Sequence, residues 1–396
     1  MCTRVLNNYN AEFVSTARNM DWVTPLPTQI FTFKKGLAKA GGQASDNCYI
    51  NWTSKYDSVV AMVGNEYACA SSDGMNSEGL VANVLYDSSA KFPFNGTDNP
   101  PSLEKIQYGY GENALALDVL RWVQYVLDTC CDVPEVVQAF NGGLLNEAAI
   151  PEILLVGSNV PGAIGNVPAS VHLSVSDRMG RSAIIEVGNS QSISIETNTK
   201  EVVTEDVANT AVVLEVDNKV YQIYQSPEYR VMTNEPSYPT QILLNQYVRW
   251  QWSDKNNFPS HTLPGGPFPS DRFSRASYYL NHLNQPKDEN ESLAQSRSIV
   301  ANACVPVGFV DHSASSEHPN IAPTIWSTYS DHRNGDYYFS NAQTPDVCWV
   351  KLNELSELPS VAKLVMVTQD SKNMSASGCI NEQLKTGETQ DPFCIL

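Results

Sequence analysis

Strand-like segments occur near both ends of this chain, and helix-like segments lie between them. The segments 58–63 and 80–86 are short and rich in valine, a composition typical of strands. Strand patterns return beyond Tyr329. Strands, then helices, then strands again indicate one layered α+β domain rather than a string of modules. We therefore expect a single domain over residues 1–396, with roughly 371–396 as a C-terminal tail.

The helix predictions come from the spacing of apolar residues and from start signals. The strongest candidate is 114–127, whose apolar residues recur at helical spacing. A second helix is expected over 134–141, because it opens with proline and is followed by two glycines. Ser270 is expected to cap a helix over 271–283. The strands predicted between these helices are 152–156, 170–176 and 182–187.

The charge balance excludes two classes of partner. The chain has 43 Asp and Glu against 25 Lys and Arg, a net charge of −18. Nucleic acids and anionic membrane surfaces require clustered basic residues, so neither is an expected partner. No apolar stretch approaches the roughly 18 residues of a membrane span. The first residues, Met1 to Arg4, lack the apolar segment of a signal peptide, and none is expected in this chain.

The cysteines and histidines do not indicate a metal site. None of the nine cysteines forms a C-x-x-C pair, and no histidine lies at zinc-ligand spacing. Beyond Cys2 the cysteines number eight, which permits either disulfides in an oxidising compartment or buried free thiols. Both interpretations stay open. The eight are Cys48, Cys69, Cys130, Cys131, Cys304, Cys348, Cys379 and Cys394.

Two segments contain the residue types of a cofactor or catalytic motif but lack the structural context that the motif requires. Residues 109–114 fit G-x-G-x-x-A, but prolines and charged residues stand at 100–105 where a buried parallel strand should precede it. We expect a glycine loop before a helix there. Neither H-E-x-x-H nor G-x-S-x-G occurs. Residues 330–332 have the residue types of a catalytic triad, but a triad is assembled across a fold rather than from neighbours.

Cys2 is a candidate nucleophile. If Met1 is removed, one residue carries both a thiol and a free α-amino group. That amine has a pKa near 7.7–8.0, so part of it is unprotonated at neutral pH and can accept the thiol proton. The resulting thiolate is the reactive form of cysteine. The alternative is a packing residue without chemistry.

A second signal lies in residues 16–22, which place Arg18 and Asp21 three positions apart. A guanidinium near Cys2 would lower the thiol pKa and stabilise the thiolate. A carboxylate could hold the α-amino group by a charge-assisted hydrogen bond. The alternative for this pair is a surface ion pair.

Five ordered elements together resemble the choloylglycine hydrolase family, which contains bile salt hydrolases and penicillin V acylases. The resemblance spans nearly the whole chain, and its details, such as Gly36 and residues 52–56 and 83–85, look like the Gram-negative penicillin V acylase branch. The matching elements are Cys2-Thr3-Arg4 with 17–22 (ARNMDW), 73–80 (DGMNSEGL), 231–236 (VMTNEP), 263–266 (LPGG) with 270–276 (SDRFSRA), and 319–320 with 328–332 ahead of 337–339.

The resemblance implies a four-layer αββα N-terminal-nucleophile hydrolase fold, in which two antiparallel sheets lie between helix layers. It also implies cleavage of a small-molecule N-acyl amide without metal or organic cofactor, and a homo-oligomer, either a tetramer or a dimer. An exported, periplasmic protein is expected from these relatives, with the cytoplasm as the alternative.

The resemblance also implies roles for individual residues. Cys2 would be the nucleophile, and Arg18 and Asp21 would tune and orient it. Asn234 would direct its amide at the oxyanion, and Arg272 would support the site electrostatically. The backbone N–H of Tyr86 would complete the oxyanion hole. The rings of Tyr86 and Trp22 would line the acyl pocket.

The sequence does not select one substrate among several linear amides. Tyr86 stands where many bile salt hydrolases have asparagine, which favours an aromatic acyl group, as in penicillin V, over a bile acid. The alternatives are an acylase for acyl-homoserine lactones or lipid amides, and a catalytically silent scaffold of the same fold. The presence of Cys2, Arg18, Asp21, Asn234 and Arg272 argues against silence.

Overall fold

The computed structural model describes most of the 396-residue chain. The described residues are 2–43, 48–65, 68–94, 102–141, 152–188, 214–217, 220–253, 263–310, 322–368, 370 and 372–395. Among them no helix is long and apolar enough to cross a membrane. The expected motif match at 319–320 lies outside the described residues.

The described strands and helices are as follows. In chain order the strands are β1 (Cys2–Asn7), β2 (Ser15–Asp21), β3 (Thr28–Phe33), β4 (Ala38–Ala40), β5 (Asn51–Thr53), β6 (Ser58–Gly64), β7 (Cys69–Asn76), β8 (Val81–Tyr86), β9 (Leu115–Asp118), β10 (Ile153–Val156), β11 (Val171–Ser176), β12 (Ser182–Val187), β13 (Leu214–Asp217), β14 (Tyr221–Gln225), β15 (Val231–Met232), β16 (Thr324–Asp331), β17 (Asp336–Asn341), β18 (Val347–Lys351), β19 (Val361–Val367) and β20 (Gly378–Cys379). The helices are α1 (Leu103–Tyr110), α2 (Trp122–Thr129), α3 (Val133–Asn141), α4 (Tyr238–Ser253), α5 (Pro269–Asn281), α6 (Glu289–Asn302) and α7 (Asn381–Leu384), with 3₁₀ turns at Val119–Arg121 and Leu352–Glu357.

Two large sheets form the centre of the fold. The first has the order β15-β1-β2-β16-β17-β18-β20, and the second has the order β13-β14-β12-β11-β8-β7-β6-β3-β19. Neighbouring strands pair antiparallel throughout, except for the short parallel pair β18 and β20. Helices α2 and α3 contact the second sheet, and α5 and α6 contact the first. The chain therefore has the expected four-layer αββα architecture.

The strand β6 shows why the two sheets bury both of their faces. Val59 and Ala61 belong to the core between the sheets, whereas Val60 and Met62 belong to the core beneath the helices α2 and α3. Successive side chains of a strand point to opposite faces, so a strand covered on both sides reads as a continuous apolar run. The valine-rich segment 58–63 is thus explained by its position in the middle of the sandwich.

The helix predicted over 114–127 is wrong in its first half. Residues Leu115–Asp118 form β9, which pairs parallel with β10, and the helix α2 begins only at Trp122. Hydrogen bonds to distant segments decide this, since the Leu115 and Ala116 N–H groups donate to the carbonyls of Glu152 and Cys48 at 2.7 and 2.8 Å. Tertiary pairing here overrides the helical spacing.

Two predicted helix starts also need correction. Ser270 is not a cap, because α5 begins at Pro269 after the N-cap residue Phe268 and ends at Asn281. Proline suits a first helical position because its fixed φ is already helical. The glycine motif at 109–114 does not precede a helix either. The helix α1 ends at Tyr110, and Gly111 follows as its C-cap with a φ of 136°.

The other local predictions are largely confirmed. The helix expected over 134–141 is α3, and the strands expected over 152–156, 170–176 and 182–187 are β10, β11 and β12. The C-terminal segment contacts both large sheets, because β20 pairs with β18 and an isolated bridge joins Glu388 to Ala362 in β19.

Candidate active site

Cys2 is the first residue of β1, between β15 and β2, and its side chain is 1% exposed. In the register of β1 and β2, Cys2 lies opposite Met20 and Arg4 lies opposite Arg18. Residues opposite or diagonal across an antiparallel pair share a face. This register therefore places the Arg18 side chain beside the thiol, on the face turned towards the second sheet.

The Arg18 guanidinium is fixed by contacts on both sides. Its Nη2 lies 3.6 Å from Cys2 Sγ, 3.1 Å from Met20 Sδ and 2.7 Å from the Val84 carbonyl, to which it donates. Its Nη1 lies 3.4 Å from the Asp73 carboxylate, and the Trp326 ring lies 4.9 Å from the guanidinium carbon. The cation is thus buried and held against the thiol.

Asp73 lies beside Arg18, although the sequence did not single it out as a candidate site residue. Its carboxylate accepts hydrogen bonds from Asn83 Nδ2 at 2.7 Å and Tyr337 Oη at 2.6 Å, besides facing Arg18. A buried charge is tolerated when it is paired and hydrogen-bonded in this way. The signal for Asp73 was its place at the head of the 73–80 motif. Nothing in the sequence pointed to Tyr337 as its partner.

The thiol of Cys2 differs electrostatically from three other buried thiols. Burial acts to raise the Cys2 pKa, but the Arg18 guanidinium and the positive charge of the amino terminus together oppose it, and the pKa is lowered overall. Burial raises the pKa of Cys69, Cys130 and Cys348 to about 12 in each case. A lowered pKa increases the fraction of thiolate, the nucleophilic form, at any given pH. Of these four thiols, Cys2 therefore ionises most readily.

We expect Cys2 to be alkylated by iodoacetamide at pH 6–7 before the other eight cysteines. The rate follows the thiolate fraction, so a lowered pKa extends labelling to lower pH. Quenched time points, digested and measured by mass spectrometry, would give the rate at each cysteine. Cys379 is the exposed competitor, so the Cys379→Ser variant serves as the background.

The Arg18→Met variant provides the control for this labelling. Without the guanidinium, burial should raise the Cys2 pKa, and the midpoint of the labelling curve should move to higher pH. An unchanged Cys2 midpoint in the Arg18→Met variant would show that Arg18 does not activate the thiol.

Asp21 and Arg272 lie on the other side of Cys2, next to its backbone. Arg272 Nη1 donates to the Cys2 carbonyl and to Thr3 Oγ1, both at 2.6 Å, and lies 3.6 Å from Asp21 Oδ2. Asp21 Oδ1 accepts a hydrogen bond from Thr324 Oγ1 at 2.6 Å. Burial raises the pKa of Asp21, and Arg272 opposes that rise. Arg272 thus fixes the end of β1 from the helix side of the sheet.

Asn234 follows β15 and connects these two sides. Its Oδ1 accepts the Cys2 backbone N–H at 2.7 Å and Arg272 Nη2 at 2.9 Å. Its Nδ2 donates to the Tyr86 carbonyl at 2.6 Å. An amide group has two hydrogens, and the Tyr86 carbonyl takes one of them. Gln241 Nε2 donates to the backbone carbonyl of Asn234 and fixes the loop.

A mostly apolar cleft opens beside the Cys2 thiol. It encloses about 540 Å³, part of which is open to solvent. Trp22 and Tyr86 form one wall in an edge-to-face contact, with ring centroids 5.6 Å apart and planes at 72°. A concave apolar pocket with a few polar groups at one end is typical of a small-molecule site. Its other lining residues include Val63, Val119, Leu120, Val160 and Val171.

The structure brings all seven predicted site residues together around Cys2, although their chemical roles stay predictions. The members are Cys2, Arg18, Asp21, Trp22, Tyr86, Asn234 and Arg272. Met20, Asp73 and Thr324 also belong to the site and were not foreseen. Within the described residues, two groups of side chains lie close enough together to hold a metal ion. They are Asp87 with His172 and Glu186, and Cys131 with Asp132 and Glu135. Neither group lines the cleft.

The chain is similar to known proteins over most of its length. The profile of the linear amide C–N hydrolases, choloylglycine hydrolase family, matches residues 2–208 and 196–365. The chain is 32% identical over 382 residues to the penicillin V acylase of Pectobacterium atrosepticum, covering 92% of this chain and 85% of that one. The structure of penicillin V acylase from Agrobacterium tumefaciens matches with a TM-score of 0.71 and 30% identity, over 100% of this chain and 99% of that one.

A more distant solved structure shares the fold. It is a mutant of the conjugated bile acid hydrolase from Clostridium perfringens, which matches with a TM-score of 0.61 and 17% identity. The match covers 89% of this chain and 93% of that one. At this level of identity the likeness concerns the arrangement of the layers.

Proposed function

The chain belongs to the choloylglycine hydrolase family of linear amide C–N hydrolases, and from this membership we infer that Cys2 is the nucleophile with which it cleaves N-acyl amides. The observation that carries the proposal is the position of Cys2 Sγ, which lies 3.6 Å from the buried Arg18 guanidinium and lines an apolar cleft. A thiolate stabilised by a cation, beside a pocket for the acyl group, is the arrangement that acyl transfer needs.

The base in this proposal is the α-amino group that removal of Met1 would expose on Cys2. The Cys2 nitrogen already lies 2.7 Å from Asn234 Oδ1, and Asp21 and Arg272 lie beside the same residue. An amine held there can take the thiol proton, because its ordinary pKa is near 7.7–8.0. Asn234 and Asp21 would then orient the amine and its protonated form.

The reaction proceeds in two steps. The Cys2 thiolate adds to the amide carbonyl, and the protonated α-amine gives its proton to the leaving nitrogen as the C–N bond breaks. The product of this step is a thioester and a free amine. A water molecule, deprotonated by the same α-amine, then adds to the thioester and releases the carboxylic acid and the thiol.

The oxyanion of each step would be stabilised at Asn234 and the Tyr86 backbone N–H. The second hydrogen of the Asn234 amide is the donor assigned to it, because the first binds the Tyr86 carbonyl at 2.6 Å. A fixed donor of this kind typically contributes about 2.7–4 kcal/mol to the transition state. Arg272 holds Asn234 Oδ1 at 2.9 Å and so keeps the amide in that orientation.

The acyl group favoured by the cleft is small and aromatic. Trp22 and Tyr86 present one ring edge to the other, and mostly aliphatic side chains cover the rest of the wall. A phenyl ring gains from such edge-to-face contacts. We therefore propose penicillin V as the preferred substrate class over conjugated bile salts, with acyl-homoserine lactones or lipid amides as the alternative.

We expect faster hydrolysis of penicillin V than of glycocholate or taurocholate. The measurement is kcat/KM for the three substrates, on protein whose first residue has been shown by mass spectrometry to be Cys2. The Tyr86→Ala variant should lose more on penicillin V than on the bile salts, because the ring contact is absent from the latter.

Each other result has a definite meaning. Preference for the bile salts would refute the aromatic pocket and leave the nucleophile untouched. No hydrolysis of any of the three would direct the search to longer acyl amides. No hydrolysis of those either, together with ordinary reactivity of the Cys2 thiol, would indicate a silent scaffold.

A further inference from the structure

A buried group of three titratable residues, Asp87, His172 and Glu186, lies directly behind the site. His172 Nδ1 is 3.8 Å from Asp87 Oδ2 and also 3.8 Å from Glu186 Oε1. All three side chains are buried, with His172 2% exposed. Asp87 follows Tyr86 in the chain, and His172 contacts the carbonyl of Thr233, which precedes Asn234. No step proposed above uses this group.

The hydrogen bond at the other ring nitrogen fixes the tautomer of His172. Its Nε2 lies 2.8 Å from the Thr233 carbonyl oxygen. A carbonyl can only accept a hydrogen bond, so Nε2 carries a hydrogen. In a neutral ring Nδ1 would then present a lone pair to two carboxylates. That arrangement is repulsive, whereas a proton on Nδ1 makes the ring a cation between two anions.

We propose that His172 is a positioning residue of this enzyme, held as a doubly protonated imidazolium that joins Asp87 and Glu186 to the Thr233 carbonyl. In this role it fixes Tyr86 and Asn234 relative to each other and to Cys2. The inference rests on the proposed function, because it assigns His172 an effect on the groups that are to bind the oxyanion.

The hydrogen bonds of the Asp87 and Glu186 carboxylates connect His172 to the backbone segments that hold Tyr86 and Asn234. Asp87 Oδ1 accepts hydrogen bonds from the N–H and the hydroxyl of Ser89 at 2.9 and 2.7 Å. Glu186 Oε1 accepts the N–H of Tyr238, the first residue of α4, at 2.6 Å. The imidazolium therefore connects the end of β8, the strand β12 and the loop between β15 and α4.

The charged groups around His172 favour its protonated form. Burial acts to lower the His172 pKa, but Glu186 and Asp87 act to raise it, and the pKa is raised overall. Tyr238, which faces Glu186, has a pKa well above its ordinary value because it is buried, and it adds no charge. The stabilisation from the imidazolium is thus complete below the unfolded pKa of about 6.5 and is lost as the pH rises through the higher folded value.

A divalent metal is the other cation that could satisfy these three side chains. Zinc bound tetrahedrally at 2.0–2.1 Å holds its ligand atoms about 3.3 Å apart. Both distances from His172 Nδ1 are 3.8 Å, so both carboxylates would have to move inward. An imidazolium ion pair accommodates these separations without such movement.

The first test measures the charge of His172 directly. Protein labelled with ¹⁵N in histidine, compared with the His172→Gln variant for assignment, should show two protonated ring nitrogens for His172 at pH 7.5. A deprotonated Nδ1 at neutral pH would overturn the proposal. So would one equivalent of a divalent metal in the purified protein by elemental analysis.

The second test measures the effect on the site. In His172→Gln, the amide can still donate to Thr233, but the charge is lost. We expect kcat to fall about 10- to 100-fold, because the oxyanion donors move, with KM changed by less than about threefold. The exposed histidine variant His282→Gln is the matched control and should keep the wild-type kcat.

A second substitution, which removes one carboxylate, tests whether the charge of His172 matters or only the presence of its side chain. In His172→Gln/Glu186→Gln one uncompensated carboxylate is gone, while the amide that replaces it keeps an oxygen for the Tyr238 N–H. We expect the double variant to be faster and more thermally stable than His172→Gln alone. Equal or greater loss in the double variant would show that the charge of His172 is irrelevant.

Failure of this proposal can be told apart from failure of the proposed function. The nitrogen shifts of His172 need no substrate, so they are measurable even if the protein hydrolyses no amide. An active wild-type enzyme with an unaffected His172→Gln variant would refute the positioning role alone.

Discussion

Replacing Cys2 with alanine is expected to abolish amide hydrolysis, with a loss of at least about 10⁴-fold in kcat. The thiol contacts Arg18 at 3.6 Å and lines the cleft. The Ser72 hydroxyl also lines the cleft and lies 3.1 Å from Arg18, but an un-ionised hydroxyl is a much weaker nucleophile than a thiolate. The loss should appear in kcat on the best substrate, with the N-terminus of each variant verified by mass spectrometry. Alanine removes the reacting atom and keeps the backbone contacts of β1.

The control variant for this experiment is Cys379→Ala, which changes an exposed thiol and should keep full activity. A second readout is the covalent intermediate. Enzyme quenched in acid during turnover should carry the mass of the acyl group on the peptide that contains Cys2 and on no peptide of Cys2→Ala. Full turnover by a correctly processed Cys2→Ala protein would refute the mechanism.

Protein that retains any residue ahead of Cys2 is expected to turn over about 10²- to 10⁴-fold more slowly than processed protein. A peptide nitrogen has no available lone pair, so it cannot accept the thiol proton or return it to the leaving amine. The test is a chain extended ahead of Cys2 by a protease site whose cleavage leaves Cys2 first. Activity of one preparation is measured before and after cleavage.

The extended chain also separates two roles, namely stabilisation of the thiolate by Arg18 and proton transfer by the α-amine. Because the guanidinium lies 3.6 Å from the thiol, the uncleaved protein should still label at Cys2 near neutral pH while it hydrolyses amides slowly. If uncleaved and cleaved protein hydrolyse amides at one rate, the α-amine is not the base. The other candidate base in the site is then Asp21, whose pKa is raised by burial.

Local sequence patterns predicted the part of the site that lies in the hairpin of β1 and β2. The strands β1 and β2 are adjacent in the chain and pair in the simple register Cys2 opposite Met20. In such a hairpin, residues that are close in the sequence are also close in space. Arg18 and Asp21 could therefore be associated with Cys2 from the sequence. Asn234 and Arg272 came from the family resemblance, because no spacing rule relates them to Cys2.

Local signals were misleading where long-range hydrogen bonds decide the backbone. Residues 115–118 have helical spacing of apolar residues, yet they form β9 because the carbonyls of Cys48 and Glu152 accept their N–H groups. The start of α5 at Pro269 was missed for a smaller reason. Serine and proline both signal helix starts. The Arg272 N–H donates to the Phe268 carbonyl at 3.1 Å, and this bond makes Pro269 the first helical residue.

The sequence by itself determined the chemistry available to this protein, namely a thiol at residue 2, a cation and a carboxylate in the next strand, and motifs of a known hydrolase family. Only the tertiary structure decided which distant groups lie around these residues. Tyr337 holds Asp73 across 264 residues of chain, and His172 lies between Asp87 and Glu186. Such contacts depend on which faces of two sheets meet, and this is a property of the packed fold.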